Sequence, residues 1–278
     1  MSLFIASLNS GSNGNCYYIG NESEAVLIDA GISCREIEKR MRRLNLSLEK
    51  VKAVFISHEH SDHISGVRVF MNKYQVPVYI TTPTLKNGRL SLERKWVRTF
   101  KSNEPISIGD LTVTPFSKIH DAVDPCSFTI EYKMIKVGVF TDIGVACEEV
   151  VRHFKECHAA FLESNYDEQM LSEGGYPYYL KQRISGGLGH LSNKQALDLF
   201  LQHRSPELSH LFLSHLSKNN NSPELVRDLF KAHAGSVNII VASRYEETPL
   251  YLVVQSATSG YAPIQPLVSC TQLAFSFS

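Results

Sequence analysis

The residues best suited to chemistry in this 278-residue chain stand together, as His58-Glu59-His60-Ser61-Asp62-His63. His58 and His60 lie two apart at the end of a predicted strand, where a two-residue period turns both imidazoles to one side. Asp62 and His63 follow in the turn and can face a second ligand position. With 11 histidines in the chain, H-x-H-x-D-H arises by chance in roughly one such chain in two thousand. A solvated turn whose histidines cap the next helix is the plainer alternative, and that rarity weighs against it. Imidazole and carboxylate donors without a thiolate suit Zn²⁺, with Mn²⁺ or Fe²⁺ as alternatives.

Rigid elements must hold such a group. Val51–Ser57 is a β-branched run that predicts a strand leading into it, and Ile64–Tyr74 has helical spacing. Upstream, Cys16–Ile19 and Ala25–Ile28 flank Gly20-Asn21 as a hairpin. Ser33 and Glu36 form a capping box that opens a helix to about Leu44. Further strands are predicted at Val76–Thr81, Leu111–Phe116, Cys126–Tyr132 and Ile135–Phe140. Beyond them helices (Glu148–Lys155, Asn193–His203, Pro223–His233) alternate with strands (Ala159–Leu162, His210–Ser214, Val237–Ala242). Ser192 and Ser222 are expected N-caps, and Pro223 suits a first helical position. A mostly antiparallel first half followed by βα alternation points to sheets sandwiched between helices, an α/β class. After Gln255 the pattern fades. Residues 1–255 are therefore expected to form one domain and 256–278 a tail.

Composition narrows the function. Lys and Arg number 28 against 28 Asp and Glu, a zero balance that excludes coating nucleic acid by bulk charge but not a local phosphate site. At 43% hydrophobic residues, wholesale disorder is excluded. No apolar run approaches the ~20 residues that span a bilayer. The first residues carry no basic region ahead of their apolar stretch, so no secretory signal is expected. The six cysteines contain no CxxC pair. Reduced thiols, a cytoplasmic location and no membrane partner are the expectation.

The motifs resemble those of metallo-β-lactamase-fold hydrolases, whose fold is a four-layer αβ/βα sandwich carrying H-x-H-x-D-H after a strand. Leu27-Ile28-Asp29-Ala30-Gly31 is similar to the early (L/I)-I-D-x-G element of that family. His120, Asp142 and His215 fall where its third histidine, bridging aspartate and last histidine stand. Ser10-Gly-Ser-Asn-Gly-Asn15, with Gly189-His190-Leu-Ser-Asn193 and His215-Leu-Ser-Lys-Asn-Asn220, resembles the YycJ/WalJ subgroup. The likeness runs over roughly residues 3–255.

That resemblance implies two divalent cations, one held by His58, His60 and His120 and the other by Asp62, His63 and His215, with Asp142 bridging. Asp62 then counts among the catalytic residues as well as the ligands. The net positive centre would favour an anionic substrate, and a shared water acidified to a pKa of about 7 would be its nucleophile. His190 and His215 both precede Leu-Ser. His215 ends an apolar strand, which suits a ligand. His190 follows Gly186-Gly-Leu-Gly189, read as a flexible loop, which suits a proton donor to the leaving alkoxide. Glu163 matches the loop glutamate that supports such a histidine in ribonucleases of this fold. The turn Ser10–Asn15 is expected to offer an anion nest. Ser12, Asn13, Ser217, Lys218 and Asn220 are the candidate substrate contacts. The other histidines (His153, His158, His203, His210, His233) read as ordinary.

The intervals exclude several relatives of that fold. About twenty residues separate His120 from Asp142, too few for the arm of tRNA 3′-processing enzymes. The Asp142–His215 interval is too short for the insertion domain of the cleavage-and-polyadenylation type. The expected function is a dinuclear phosphodiesterase acting on DNA or RNA, a nuclease resembling 5′→3′ exonucleases. The alternative is a small-molecule hydrolase of a cyclic nucleotide, thioester or lactone.

Overall fold

The computed structural model describes residues 2–255; the expected tail at 256–278 lies outside them. Two mixed seven-stranded sheets stack face to face with helices on both outer sides. The first sheet holds β1 (Ser2–Asn9), β2 (Cys16–Gly20), β3 (Ala25–Ile28), β4 (Val51–Phe55), β5 (Val78–Tyr79) and β6 (Val97–Arg98). The second holds β7 (Ile106–Ile108), β8 (Leu111–Ser117), β9 (Cys126–Tyr132), β10 (Ile135–Phe140), β11 (Ala159–Glu163), β12 (His210–Ser214) and β13 (Asn238–Val241). The chain then returns to the first sheet as β14 (Tyr251–Val254), pairing with β1.

Period-2 alternation builds the layers. In β11 and β12, Phe161 and Phe212 face the interior between the sheets, against Tyr17 and Phe55 of the first sheet. Ring centroids lie 4.9 Å apart for Tyr17–Phe161 and 4.5 Å for Phe161–Phe212. Truncating one such aromatic to Ala costs about 3–5 kcal/mol. Leu162, Leu211 and Leu213 alternate to the outer face, where α5 (Glu148–Phe154), α8 (Asn193–His203) and α9 (Pro223–Lys231) cover them. On the far side α1 (Cys34–Arg43) and α3 (Val67–Tyr74) close the other outer face with Ile37, Met41 and Phe70. The remaining helices are the short α2 (Ser61–Ile64), α4 (Thr82–Asn87), α6 (Glu168–Glu173) and α7 (Tyr178–Ser185). The five cysteines among the described residues are free thiols. No helix among those residues is long and apolar enough to cross a membrane.

Several expectations need correction. The first sheet is antiparallel only from β14 to β3 and parallel from β3 to β6, because α1 carries the chain from β3 to β4 as a crossover. The second sheet has the expected order, antiparallel from β7 to β10 and parallel from β10 to β13. The helix expected over Ile64–Tyr74 breaks at Ser65-Gly66, because Gly66 N–H is drawn to Ala30 O (2.8 Å). The strand expected over Val76–Thr81 shrinks to Val78–Tyr79. Only half the capping box at α1 forms: Ser33 Oγ accepts from Glu36 N–H, while the Glu36 carboxylate turns to Lys39 and Arg40.

Gly31 sits where the loop after β3 presses on the start of α2, and a Cβ there would overlap the Asp62 carbonyl. Gly31→Ala should therefore lower stability by about 2–4 kcal/mol, read as a fall in denaturant midpoint at constant m-value. Gly175→Ala, with open space around the new carbon, is the control; an equal fall in both variants would refute the steric argument.

Candidate metal centre

The candidate ligands lie in the segments that follow strands, Asp62 and His63 on the short α2. His58, His60, Asp62 and His63 follow β4, His120 follows β8, Asp142 follows β10 and His215 follows β12. The pairing of His58 with His60 thus comes from an extended loop past Phe55, not from strand period. Asp29, Asp142 and His215 adopt φ of 61°, 56° and 55°, left-handed conformations that cost non-glycine residues about 1 kcal/mol or more. Each turns the chain sharply out of a parallel strand so that its side chain enters the site.

Two trios of donor atoms result. The nitrogens of His58, His60 and His120 converge, with His58 Nε2 and His60 Nδ1 3.1 Å apart. Asp62, His63 and His215 converge beside them. Asp142 stands between: its Oδ2 is 3.2 Å from His63 Nε2, and its Oδ1 lies 3.4 Å from His215 Nε2 and 3.9 Å from His120 Nε2.

Neighbouring groups fix which ring nitrogen points inward. Asp29 Oδ2 accepts from His63 Nδ1–H (2.7 Å) and from Ser57 Oγ–H (2.8 Å), and Asp29 Oδ1 accepts from Ser57 N–H (2.8 Å). Since the Ser57 hydroxyl donates to Asp29, it accepts from His58 Nδ1–H (2.9 Å). His120 Nδ1–H donates to Gly189 O (3.0 Å). In all three rings Nε2 is left with its lone pair toward the cluster, as metal ligation requires. His120 Nε2 and Asp142 Oδ2 are buried with no hydrogen-bond partner. Orphaned buried acceptors are costly, and a divalent cation would satisfy both.

Charge gives the same answer. Burial opposes ionisation of Asp142, yet His215 and His63 hold its carboxyl well below the usual range. Burial likewise disfavours a charged His215, but Asp142, Asp62 and Glu163 raise it to about 10. His63 is raised despite complete burial by Asp142, Asp29 and Asp62. Burial dominates at His120, which falls to about 4, and at His58, also depressed. The carboxylates demand positive charge that protons on two imidazoles supply, and bound cations would take over that role.

Glu163 is fully buried at the end of β11. Its Oε1 accepts from His190 Nδ1–H (2.7 Å) and lies 3.2 Å from His215 Nδ1, while Oε2 accepts from Ile143 N–H (2.8 Å). Burial raises its pKa, but His190 and His215 outweigh that and hold it near 2. The 186–189 segment is not a loose loop. A Cβ on Gly189 would strike the Arg183 and Ile184 carbonyls, and His190 N–H donates to Ile184 O (2.9 Å). What distinguishes His190 is its partner and its place on a cleft of about 320 Å³. With Nδ1 committed to Glu163, Nε2 is free toward that cleft.

The turn Ser10–Asn15 is a brace more than a nest. Ser10, Gly11, Gly14 and Asn15 N–H groups are already bonded within the protein. Asn15 donates to Asp62 through its backbone (2.7 Å) and side chain (3.2 Å), and Ser10 Oγ accepts from His215 N–H (2.7 Å). Ser12 lines the cleft, whereas Asn13 donates to Arg244 O. Ser217, Lys218 and Asn220 do not line it: Asn220 is buried, its backbone bound to Ser217 and Asp167. The supporting residues that sequence spacing does not reveal are Ser57 and Asn165, the latter donating to His215 O (2.8 Å). Asp29 stands in the Leu27–Gly31 motif, but its bond to His63 emerges only in three dimensions.

The profile of the metallo-beta-lactamase superfamily matches residues 10–170. Exodeoxyribonuclease YycJ of Bacillus anthracis is 33% identical over 232 residues, spanning 82% of this chain and 87% of that protein. Exodeoxyribonuclease WalJ of Streptococcus pneumoniae is 32% identical over 238 residues, 83% of this chain and 86% of its own. Among solved structures, the metallo-beta-lactamase fold protein YhfI of Bacillus subtilis superposes with a TM-score of 0.70 at 16% identity, over 91% of this chain and 100% of that one.

Asp29→Asn keeps the shape of the His63 partner and removes its charge. Metal affinity should fall about 10–100-fold, measured by competition with a chelating dye. Unchanged affinity would reduce Asp29 to a backbone-turn residue.

Proposed function

The chain belongs to the metallo-beta-lactamase superfamily, and from that premise we propose that it is a two-metal phosphodiesterase degrading nucleic acid as a 5′→3′ exonuclease. The observation that carries the reading is the pair of donor trios around Asp142, with the Glu163–His190 pair on the same cleft. The relatives named exodeoxyribonucleases, matched over most of both chains, support the substrate class.

His58, His60 and His120 would hold one cation and Asp62, His63 and His215 the other, with Asp142 shared; Zn²⁺ suits these donors best, and Mn²⁺ or Fe²⁺ are compatible. When bound, the cations would acidify water to supply the nucleophile and neutralise charge developing on the phosphate. Asp29, Ser57 and Gly189 keep three imidazoles in the ligating tautomer. His190 holds the proton for the leaving alkoxide on Nε2, and Glu163 keeps that ring oriented through its bond to Nδ1. His190 borders both trios, its ring centroid 5.3 Å from those of His120 and His215.

Elemental analysis should approach two metals per chain, and His58→Ala, Asp142→Ala and His215→Ala should each lower occupancy. Chelation should lower the melting temperature, because cations that bind only the native state stabilise it. A stoichiometry of zero after reconstitution refutes the assignment.

His190→Ala should keep its metal and lose about 10²–10⁴-fold in rate on an oligonucleotide. The loss should be far smaller on bis-p-nitrophenyl phosphate, whose leaving group departs without a proton. Glu163→Gln should follow the same pattern more weakly, and His215→Ala should lose metal and rate on both substrates. A wild-type preference for a glutathione thioester over either phosphodiester would favour the small-molecule alternative.

A further inference from the structure

The cleft over the donor trios is lined by Asp62, Asp121, Asp142 and three imidazoles, and Arg183 is the one Lys or Arg side chain among its lining residues. Arg183 stands on α7, a helix that buries none of its residues. Such a helix adds little to the core, yet Leu180, Arg183 and Ile184 roof the cleft. Arg183 Nε–H donates to Asp121 Oδ2 at 2.6 Å, while Asp121 Oδ1 lies 3.3 Å from His120 Nε2. The ion pair thus ties the guanidinium to the edge of the ligand cluster. A guanidinium has five N–H donors, and this one spends a single N–H on Asp121. The side chain remains 61% exposed, against 2% for Asp142. Arg183 therefore sits at the mouth of the cleft, displaced from the point where the scissile phosphate must meet the ligands.

Tyr179 lies four residues before Arg183, one turn away on the same side of α7. It is 73% exposed. A ring held in water beside a cationic donor has the chemistry of a base-stacking platform.

We propose that Arg183 binds a backbone phosphate flanking the one being cleaved, with Tyr179 stacking on the base of that nucleotide. The proposal rests on the nucleic-acid reading above and specifies how a strand is gripped. Asp121 occupies one N–H of the fork, and the N–H groups it leaves free take the non-bridging oxygens in the paired geometry that guanidinium and phosphate share.

Steady-state kinetics on a single-stranded oligonucleotide and on bis-p-nitrophenyl phosphate, with metal content measured for each variant, test it. Arg183→Ala should raise KM for the oligonucleotide roughly 10–100-fold, the scale of a lost charge-assisted bidentate contact. Its kcat should stay within a few-fold, with metal content and the bis-p-nitrophenyl phosphate reaction unchanged. Arg183→Lys should recover only part of the loss, because an ammonium lacks the fork. Asp121→Asn, which frees the guanidinium, should leave KM equal or lower. Tyr179→Leu should raise KM roughly 5–100-fold, and Tyr179→Phe should match wild type. Equal rises in KM for Arg183→Ala and Asp121→Asn, or an equal loss on both substrates, would overturn the proposal by making Arg183 a mere partner of Asp121. If the wild type hydrolyses bis-p-nitrophenyl phosphate but no oligonucleotide, the nucleic-acid reading fails and takes the strand grip with it. Oligonucleotide turnover with KM unmoved by Arg183→Ala overturns the grip alone.

Discussion

The structure is organised around the cost of burying carboxylates. Asp29, Asp142 and Glu163 are essentially inaccessible to water, and Asp62 is largely so. An unpaired charge in such surroundings is prohibitive. Each is offset by imidazoles, joined by backbone or hydroxyl donors at Asp29 and Glu163 and by an amide at Asp62, and these groups come from the turns at strand ends of both sheets. The same requirement explains three left-handed residues in one site: local strain is tolerated because the surrounding hydrogen bonds over-determine the conformation.

The architecture was legible because its signals are local. Runs such as Cys126–Tyr132 and His210–Ser214 carry their strand character in β-branched and aromatic content, and Ser192 and Ser222 cap their helices as their side-chain chemistry dictates. The candidate ligands were legible for a different reason: H-x-H-x-D-H is rare, and the later positions follow family order. What spacing cannot convey is which polar group serves another. Ser57 looks like the last residue of a strand, yet it relays between Asp29 and His58. The turn Ser10–Asn15 has the composition of an anion nest but spends its donors on Asp62 and the chain. Asn220 looked available to substrate and is buried. The glycines at 186–189 suggested freedom, whereas Gly189 is packed against the end of α7. In each case the residue type was informative and the direction it faces was decided by distant contacts.

The two sheets repeat one plan. Each runs antiparallel and then turns parallel, at β3 in the first and β10 in the second. At both switch strands the next turn carries an aspartate in the left-handed conformation, Asp29 and Asp142. The carboxyl-terminal ends of parallel strands are where α/β proteins place ligands, and here two such edges face one another across a single cleft. One aspartate accepts from His63 and the other stands between the two donor trios, so equivalent positions have different surroundings.

The return of β14 to the first sheet bears on how the chain reaches this state. The first strand, β1, lies between β2 and β14, with Ile5 opposite Tyr251. The amino-terminal sheet is therefore incomplete until almost the last described residue has been made. Ser10 must likewise wait for the His215 amide, 205 positions later in the chain. Pairings so remote in sequence form slowly, because a long loop must close before any contact rewards it. During synthesis β1 leaves the ribosome early with one edge unpaired, an exposed strand of the kind that invites association with other chains. The seam that locks the mature protein is thus also its period of greatest vulnerability.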